Sequence, residues 1–187
     1  MQIVPTNLEE VLLVKPEVRG DERGFFLETY HQAKFAAQGI AVAFVQDNHS
    51  RSKCGVLRGL HYQAGDAPMA KLVRCTFGSI LDVAVDLRLG SPTFGRWAGA
   101  TLTDENKHQL FVPAGFGHGF LVLSDYAEVQ YKCSSLYAPE AEGAVLWNDP
   151  EIGIEWTLDE PILSARDQQA MTLEQYRANP AFVYQPA

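Results

Sequence analysis

The segment KLVRCTFGSILDVAVDLR, residues 71–88, contains two runs rich in aliphatic and β-branched residues, separated by Phe77 and Gly78. Side chains alternate between the two faces of an extended strand, so each run can be sorted by position. In the first, Lys71, Val73 and Cys75 share one face. In the second, Leu81, Val83, Val85 and Leu87 oppose Asp82, Ala84, Asp86 and Arg88, and the pattern alone leaves open which set lines an interior. A lysine on an inward face is costly unless a partner or a ligand compensates its charge.

The same pattern of short runs broken by Gly, Pro, Asn and Asp extends in both directions. Strands are expected at Val11–Lys15, Phe25–Tyr30, Val42–Gln46, Gly55–Gln63, Trp97–Thr103, Gln109–Val112, Gly119–Ser124, Ala127–Cys133 and Gly143–Trp147. In Ala127–Cys133, Tyr131 falls on the apolar face with Ala127, Val129 and Cys133. Helical spacing is confined to His31–Gln38, stopped by Gly39, and to Thr172–Arg177, with a short turn over Asp104–Lys107. Many closely spaced strands in 187 residues predict an all-β sandwich or small barrel, organised as a single domain over residues 1–187.

Composition narrows the possible partners. A formal net charge of −8 argues against non-specific nucleic-acid binding, which relies on a basic surface. An anionic small ligand would instead need a local cluster of arginines and lysines. No stretch is long and apolar enough to span a bilayer, and the N-terminus has no basic-then-apolar leader. Cys54, Cys75 and Cys133 are odd in number and widely spaced, which predicts reduced thiols in a cytoplasmic protein.

The run GVLRGLHYQ, residues 55–63, places a histidine and an arginine inside a β-like segment. A lone histidine of this kind is more often a hydrogen-bonded core residue than a catalyst. Strict alternation puts Leu57, Gly59 and His61 on one face and Arg58 on the other. The two share a site only if Gly59 marks a bulge or a strand end lets the arginine swing round; otherwise Arg58 serves a partner subunit. The tract from Pro113 to Gly119 has three glycines but no lysine-serine/threonine ending, so it reads as a tight connection rather than a phosphate loop.

Beside that run stand GDERGFF (20–26), QDNHS (46–50), KLVRC (71–75), DVAVD (82–86), SPTFG (91–95), VPAGFGHGF (112–120), WND (147–149) and LSARD (163–167). In this order, from about Val11 to Asp167, they resemble the dTDP-4-dehydrorhamnose 3,5-epimerase family, with its RGLH(Y/F)Q signature. The resemblance implies a cupin-type jelly roll with a few short peripheral helices, a homodimer, and a dTDP-linked 4-keto-6-deoxyhexose as substrate. It implies no cofactor and no metal. The chemistry is proton abstraction α to a ketone and reprotonation from the other face, which requires a base, an acid and a cation at the developing enolate oxygen.

By the same resemblance His61 is the base, Asp167 its orienting carboxylate, Tyr131 the proton donor and Lys71 the cation facing the C4 oxygen. Arg23, Arg58 and Arg166 are candidates for the phosphates. Phe26, Glu28, Gln46, Asp47, Asn48, His118 and Glu142 are further substrate contacts, and Tyr137 stacks on the thymine. Arg166 stands where many relatives carry lysine, a planar fork in place of a point charge. From pattern alone Tyr131 and Tyr137 remain ordinary aromatics, Lys71 a snorkelling edge residue and Asp167 a helix-start aspartate. Three rivals share parts of this set: an epimerase acting at C3 only, a catalytically silent sugar-nucleotide binder, and a metal-dependent cupin. The last is disfavoured because Gln63 stands where a second histidine ligand is needed, and only His118 is well placed downstream.

Overall fold

The computed structural model describes residues 1–186. Two antiparallel sheets face one another in a jelly roll. One has six strands, ordered Gln2–Pro5, Leu12–Lys15, Gln109–Val112, Lys71–Phe77, Tyr126–Cys133 and Gln46–Lys53. The other has five, ordered Trp97–Thr103, Ser79–Asp86, Phe116–Val122, Leu57–Gln63 and Glu142–Ala144. A separate hairpin pairs Val18–Asp21 with Gly24–Leu27, and Phe182–Val183 pairs in parallel with Arg88–Leu89. The helices are short: Gln32–Ala36, Ala165–Gln168 and Leu173–Ala178.

Between the sheets, Val73, Cys75, Leu110, Val112, Ala127 and Val129 meet Ile80, Ala84, Ala98, Leu102, Phe116, Phe120 and Val122 in one buried cluster. Burying each larger aliphatic side chain contributes about 1.5–3 kcal/mol. Lys71 and Tyr131 stand on this same inner face, as alternation predicts from Val73 and Val129. The strand left open in the sequence resolves against the usual polarity. Asp82 and Ala84 face inward with His118 and Phe120, whereas Val83, Val85 and Leu87 pack outward beneath Ile152, Leu173 and Tyr176. A helical layer covers that outer face, so both faces of the strand are buried and the carboxylate lies inside.

Several strand assignments shift, and the expected strand Phe25–Tyr30 is found at Gly24–Leu27. The expected strand Val42–Gln46 is not one: the ladder begins at Gln46 and runs to Lys53. Val42 and Phe44 instead lie with Tyr30, Phe35 and Ile40 across the outer face of the six-stranded sheet, against Val14, Leu72 and Phe111. Apolar alternation reports burial of one side, which an extended covering segment achieves without pairing. The strand following Gly143 is confined to Glu142–Ala144.

Candidate active site

Gly59 decides the geometry of the site. The ladder pairs His118 with His61 and Phe120 with Arg58, so Gly59 and Leu60 on one strand oppose Gly119 alone on the other. This is a bulge, and it turns Arg58 onto the inner face beside His61. Gly59 has φ 138°, and a Cβ there would sit 2.5 Å from Gly119 Cα and 2.9 Å from the His118 carbonyl oxygen. Both contacts are with backbone and neither can yield. Gly59→Ala is therefore expected to lose about 1–3 kcal/mol from backbone strain alone, with the clash adding to it. Chemical denaturation reads the loss, and wild-type stability would show that the bulge tolerates a side chain.

His61 Nε2 lies 2.5 Å from Asp167 Oδ1. Asp167 is 2% exposed and sits in the helix Ala165–Gln168, but it does not cap that helix. Ser164 does so, accepting the Asp167 N–H at 3.1 Å, which leaves the carboxylate for the imidazole. Burial pushes the Asp167 carboxyl up, but the His61 hydrogen bond, Ser164 and the Gly59 N–H outweigh it and hold the group below the ordinary carboxylate value. An ionised Asp167 can only accept. The His61 Nε2 therefore carries the hydrogen, and the lone pair resides on Nδ1.

Across the sandwich, Lys71 Nζ lies 5.9 Å from the centre of the Tyr131 ring. Burial lowers the Lys71 pKa, and no carboxylate is within ion-pair distance of it among the described residues. Burial also raises the Tyr131 phenol, keeping it protonated at neutral pH. Asn48, opposite Tyr131 in the ladder, donates to Cys133 Sγ at 3.6 Å and accepts from Gln46 at 3.0 Å. His118 is buried and its Nε2 meets Asp82 Oδ1 at 2.9 Å. It is thus an inner-wall residue, kept neutral chiefly by burial. Asp82 is the residue that sequence reasoning missed, although its position on the polar face of its strand was the available signal.

Glu142 accepts from Tyr137 Oη at 2.8 Å and from Arg166 at 2.6 Å. Burial raises the Glu142 carboxyl, but Arg166 and Tyr137 bring it below its ordinary value. Arg58, His61, Arg166 and Asp167 line a cavity of about 310 Å³. Arg58 also bonds Ser52 on the facing sheet at 3.1 Å.

Four expected contacts are not brought here within one chain. Asp47 points to the outer face, because it alternates with the inward Gln46 and Asn48, and it pairs with Lys132 at 2.9 Å. Arg23, Phe26 and Glu28 belong to or flank the exposed hairpin and line other depressions, where Arg23 pairs with Asp21 and Glu28 with Lys34. Among the described residues no group of three or more His, Cys, Asp or Glu is arranged to hold a metal ion. Among the same residues no helix is long and apolar enough to cross a membrane.

Residues 5–175 match the family model described as dTDP-4-dehydrorhamnose 3,5-epimerase. The dTDP-4-dehydrorhamnose 3,5-epimerase of Pseudomonas aeruginosa is 58% identical over 171 residues, covering 90% of this chain and 94% of the relative. A dTDP-4-dehydrorhamnose 3-epimerase of Streptomyces niveus is 42% identical over 178 residues, covering 95% and 86%. The crystal structure of dTDP-6-deoxy-D-glucose-3,5-epimerase from Legionella pneumophila, in complex with dTDP-4-keto-L-rhamnose, superposes with a TM-score of 0.95 at 45% identity, covering 99% of each chain. With the signature run folded into the strand that carries the His61–Asp167 pair, and the match extending over nearly the whole sequence, the chain belongs to the dTDP-4-dehydrorhamnose 3,5-epimerase family.

Proposed function

We propose that this protein epimerises C3 and C5 of dTDP-4-dehydro-6-deoxy-D-glucose to give dTDP-4-dehydro-L-rhamnose, a step toward dTDP-L-rhamnose and cell-surface polysaccharide. The observation that carries the reading is the His61–Asp167 hydrogen bond, with His61 on the inner face of the five-stranded sheet and Lys71 and Tyr131 on the inner face of the six-stranded one. His61 Nδ1 takes the proton from the carbon beside the ketone, and the ionised Asp167 stabilises the imidazolium that forms. Negative charge then develops on the C4 oxygen. Lys71, a partly desolvated cation without a protein counter-ion, is suited to meet it, since charges interact more strongly away from bulk water. Tyr131 supplies a proton from the facing sheet. The same ketone acidifies both neighbouring carbons, so one set of groups serves twice.

Arg58 and Arg166 take the diphosphate, and Tyr137 stacks on the base. We place the enzyme in the cytoplasm as a homodimer. The hairpin Val18–Leu27 exposes Val18, Phe25 and Phe26, an apolar surface suited to a second copy, and Arg23 and Phe26 then reach the partner's cavity.

Incubation in heavy water, followed by NMR, tests the assignment. Deuterium is expected at both C3 and C5, at an undiminished rate after exhaustive chelation. Label at C3 alone would favour the single epimerase, no label the silent binder, and loss of exchange with the metal a metal-dependent cupin.

A further inference from the structure

Gln63 lies two residues beyond His61 on the same strand and is only 3% exposed. A buried primary amide needs partners for both N–H groups and for its oxygen. Here all are found on backbone, and two come from a single loop. The Nε2 donates to the Ala67 carbonyl at 2.8 Å and to the Leu136 carbonyl at 3.0 Å. The Oε1 accepts from the Ala138 N–H at 2.8 Å. Two carbonyls on one side and an N–H on the other fix which end is oxygen, so the amide is held in one orientation.

Leu136 and Ala138 flank Tyr137. That ring is 54% exposed and bonded through its hydroxyl to Glu142, which in turn holds Arg166 of the cavity lining. Gln46 secures the Tyr137 N–H from the other side at 2.9 Å. An exposed aromatic whose backbone is bolted on both sides has little conformational freedom left to lose when a flat ring stacks on it.

We propose that Gln63 is a positioning residue that holds the loop Ser134–Ala138 so that Tyr137 is pre-set for the base of the bound nucleotide, acting on affinity and not on proton transfer. This rests on the reading of the cavity as a nucleotide-sugar site. It also gives Gln63 a reason to be an amide: a glutamate keeps the acceptor for Ala138 but sets an oxygen against two carbonyls, and a histidine lacks the paired donors.

The test is Q63E, with Q63M as the uncharged alternative should Q63E not fold, measured in the full-length protein. With dTDP alone as probe, the dissociation constant is expected to rise about tenfold, the scale of losing one well-made buried hydrogen-bond set. KM for the keto sugar should rise with it, while kcat changes by less than about threefold. In a Y137A background Q63E should add little, because the two act through one contact. Unchanged dTDP affinity in Q63E, additive losses in the double variant, or a fall in kcat at constant affinity would each overturn the proposal. Wild-type protein that fails to bind dTDP would overturn this inference together with the reading beneath it, whereas normal wild-type binding with an indifferent Q63E would overturn this inference alone.

Discussion

His61→Asn is expected to abolish deuterium exchange at both carbons while dTDP binding stays within about twofold of wild type. Positioned acid–base groups contribute about 10²–10⁴ in rate, and the group removed is the imidazole that lines the cavity. His118, its neighbour across the ladder, is paired with Asp82 in the same way but is buried and does not line the cavity, so it is no substitute. Asparagine keeps approximate volume and an N–H able to reach Asp167, so the buried carboxylate is not orphaned. Asp167→Asn should be milder, on the order of tenfold to a thousandfold, because the imidazole persists without its orienting charge.

A pH signature accompanies the pair. The Asp167 carboxyl is held below its ordinary value in the folded protein, so it contributes stability that is present above the unfolded pKa of about 3.9 and lost as pH falls through the folded value. Weakening its partner should therefore cost stability at neutral pH and progressively less in acid. Near-normal exchange by the asparagine variant would mean that another group is the base. An unchanged acid-unfolding curve would mean that the His61–Asp167 bond is not what lowers the carboxyl.

How much of this was legible before the fold was known depends on what each residue faces. Strands whose inner positions are apolar, such as Trp97–Thr103, Gln109–Val112 and Ala127–Cys133, announced themselves by alternation, and with them the faces of Lys71 and Tyr131. The strand Gln46–Lys53 did not. Its inward positions are Gln46, Asn48, Ser50 and Ser52 and its outward ones Asp47, His49, Arg51 and Lys53, so no hydrophobic period exists to detect. It is polar on the inside because it borders a cavity, which is where local patterning and fold are expected to disagree. The same cause hid Asp82, whose strand presents its more apolar side to a covering layer and its carboxylate to the interior.

The Arg58 problem was visible in the sequence as an inconsistency. Its solution was the named alternative of a bulge at Gly59. What alternation cannot supply is any relation across the chain. The approach of Asp167 to His61 spans 106 residues and rests on a helix cap at Ser164 that leaves the neighbouring carboxylate unspent. For the same reason the placement of Arg23, Phe26 and Glu28 away from the cavity could not be anticipated, since family register orders residues along a chain without saying which copy of the chain they serve.

Tyr131→Phe is expected to separate exchange from inversion. The ring stands on the inner face of the six-stranded sheet, packed against the central cluster, while His61 stands on the opposite sheet. A single base returning its proton to the face it came from gives exchange with retention, so inversion requires a donor on the other side. The Tyr131 phenol is pushed above its ordinary pKa of about 10, chiefly by burial, and is protonated throughout the neutral range. Removing the hydroxyl alone leaves the ring contacts and the nearby Lys71 in place, so folding and dTDP affinity should change little. The variant should still wash substrate protons into solvent through His61, with Lys71 at the enolate oxygen, and should form inverted product at a rate lower by about 10²–10⁴. Parallel measurement of deuterium incorporation and of product stereochemistry decides the matter. Equal loss of both would make Tyr131 part of substrate placement, and normal inversion by the phenylalanine variant would make it a packing residue with the proton delivered by water or another side chain.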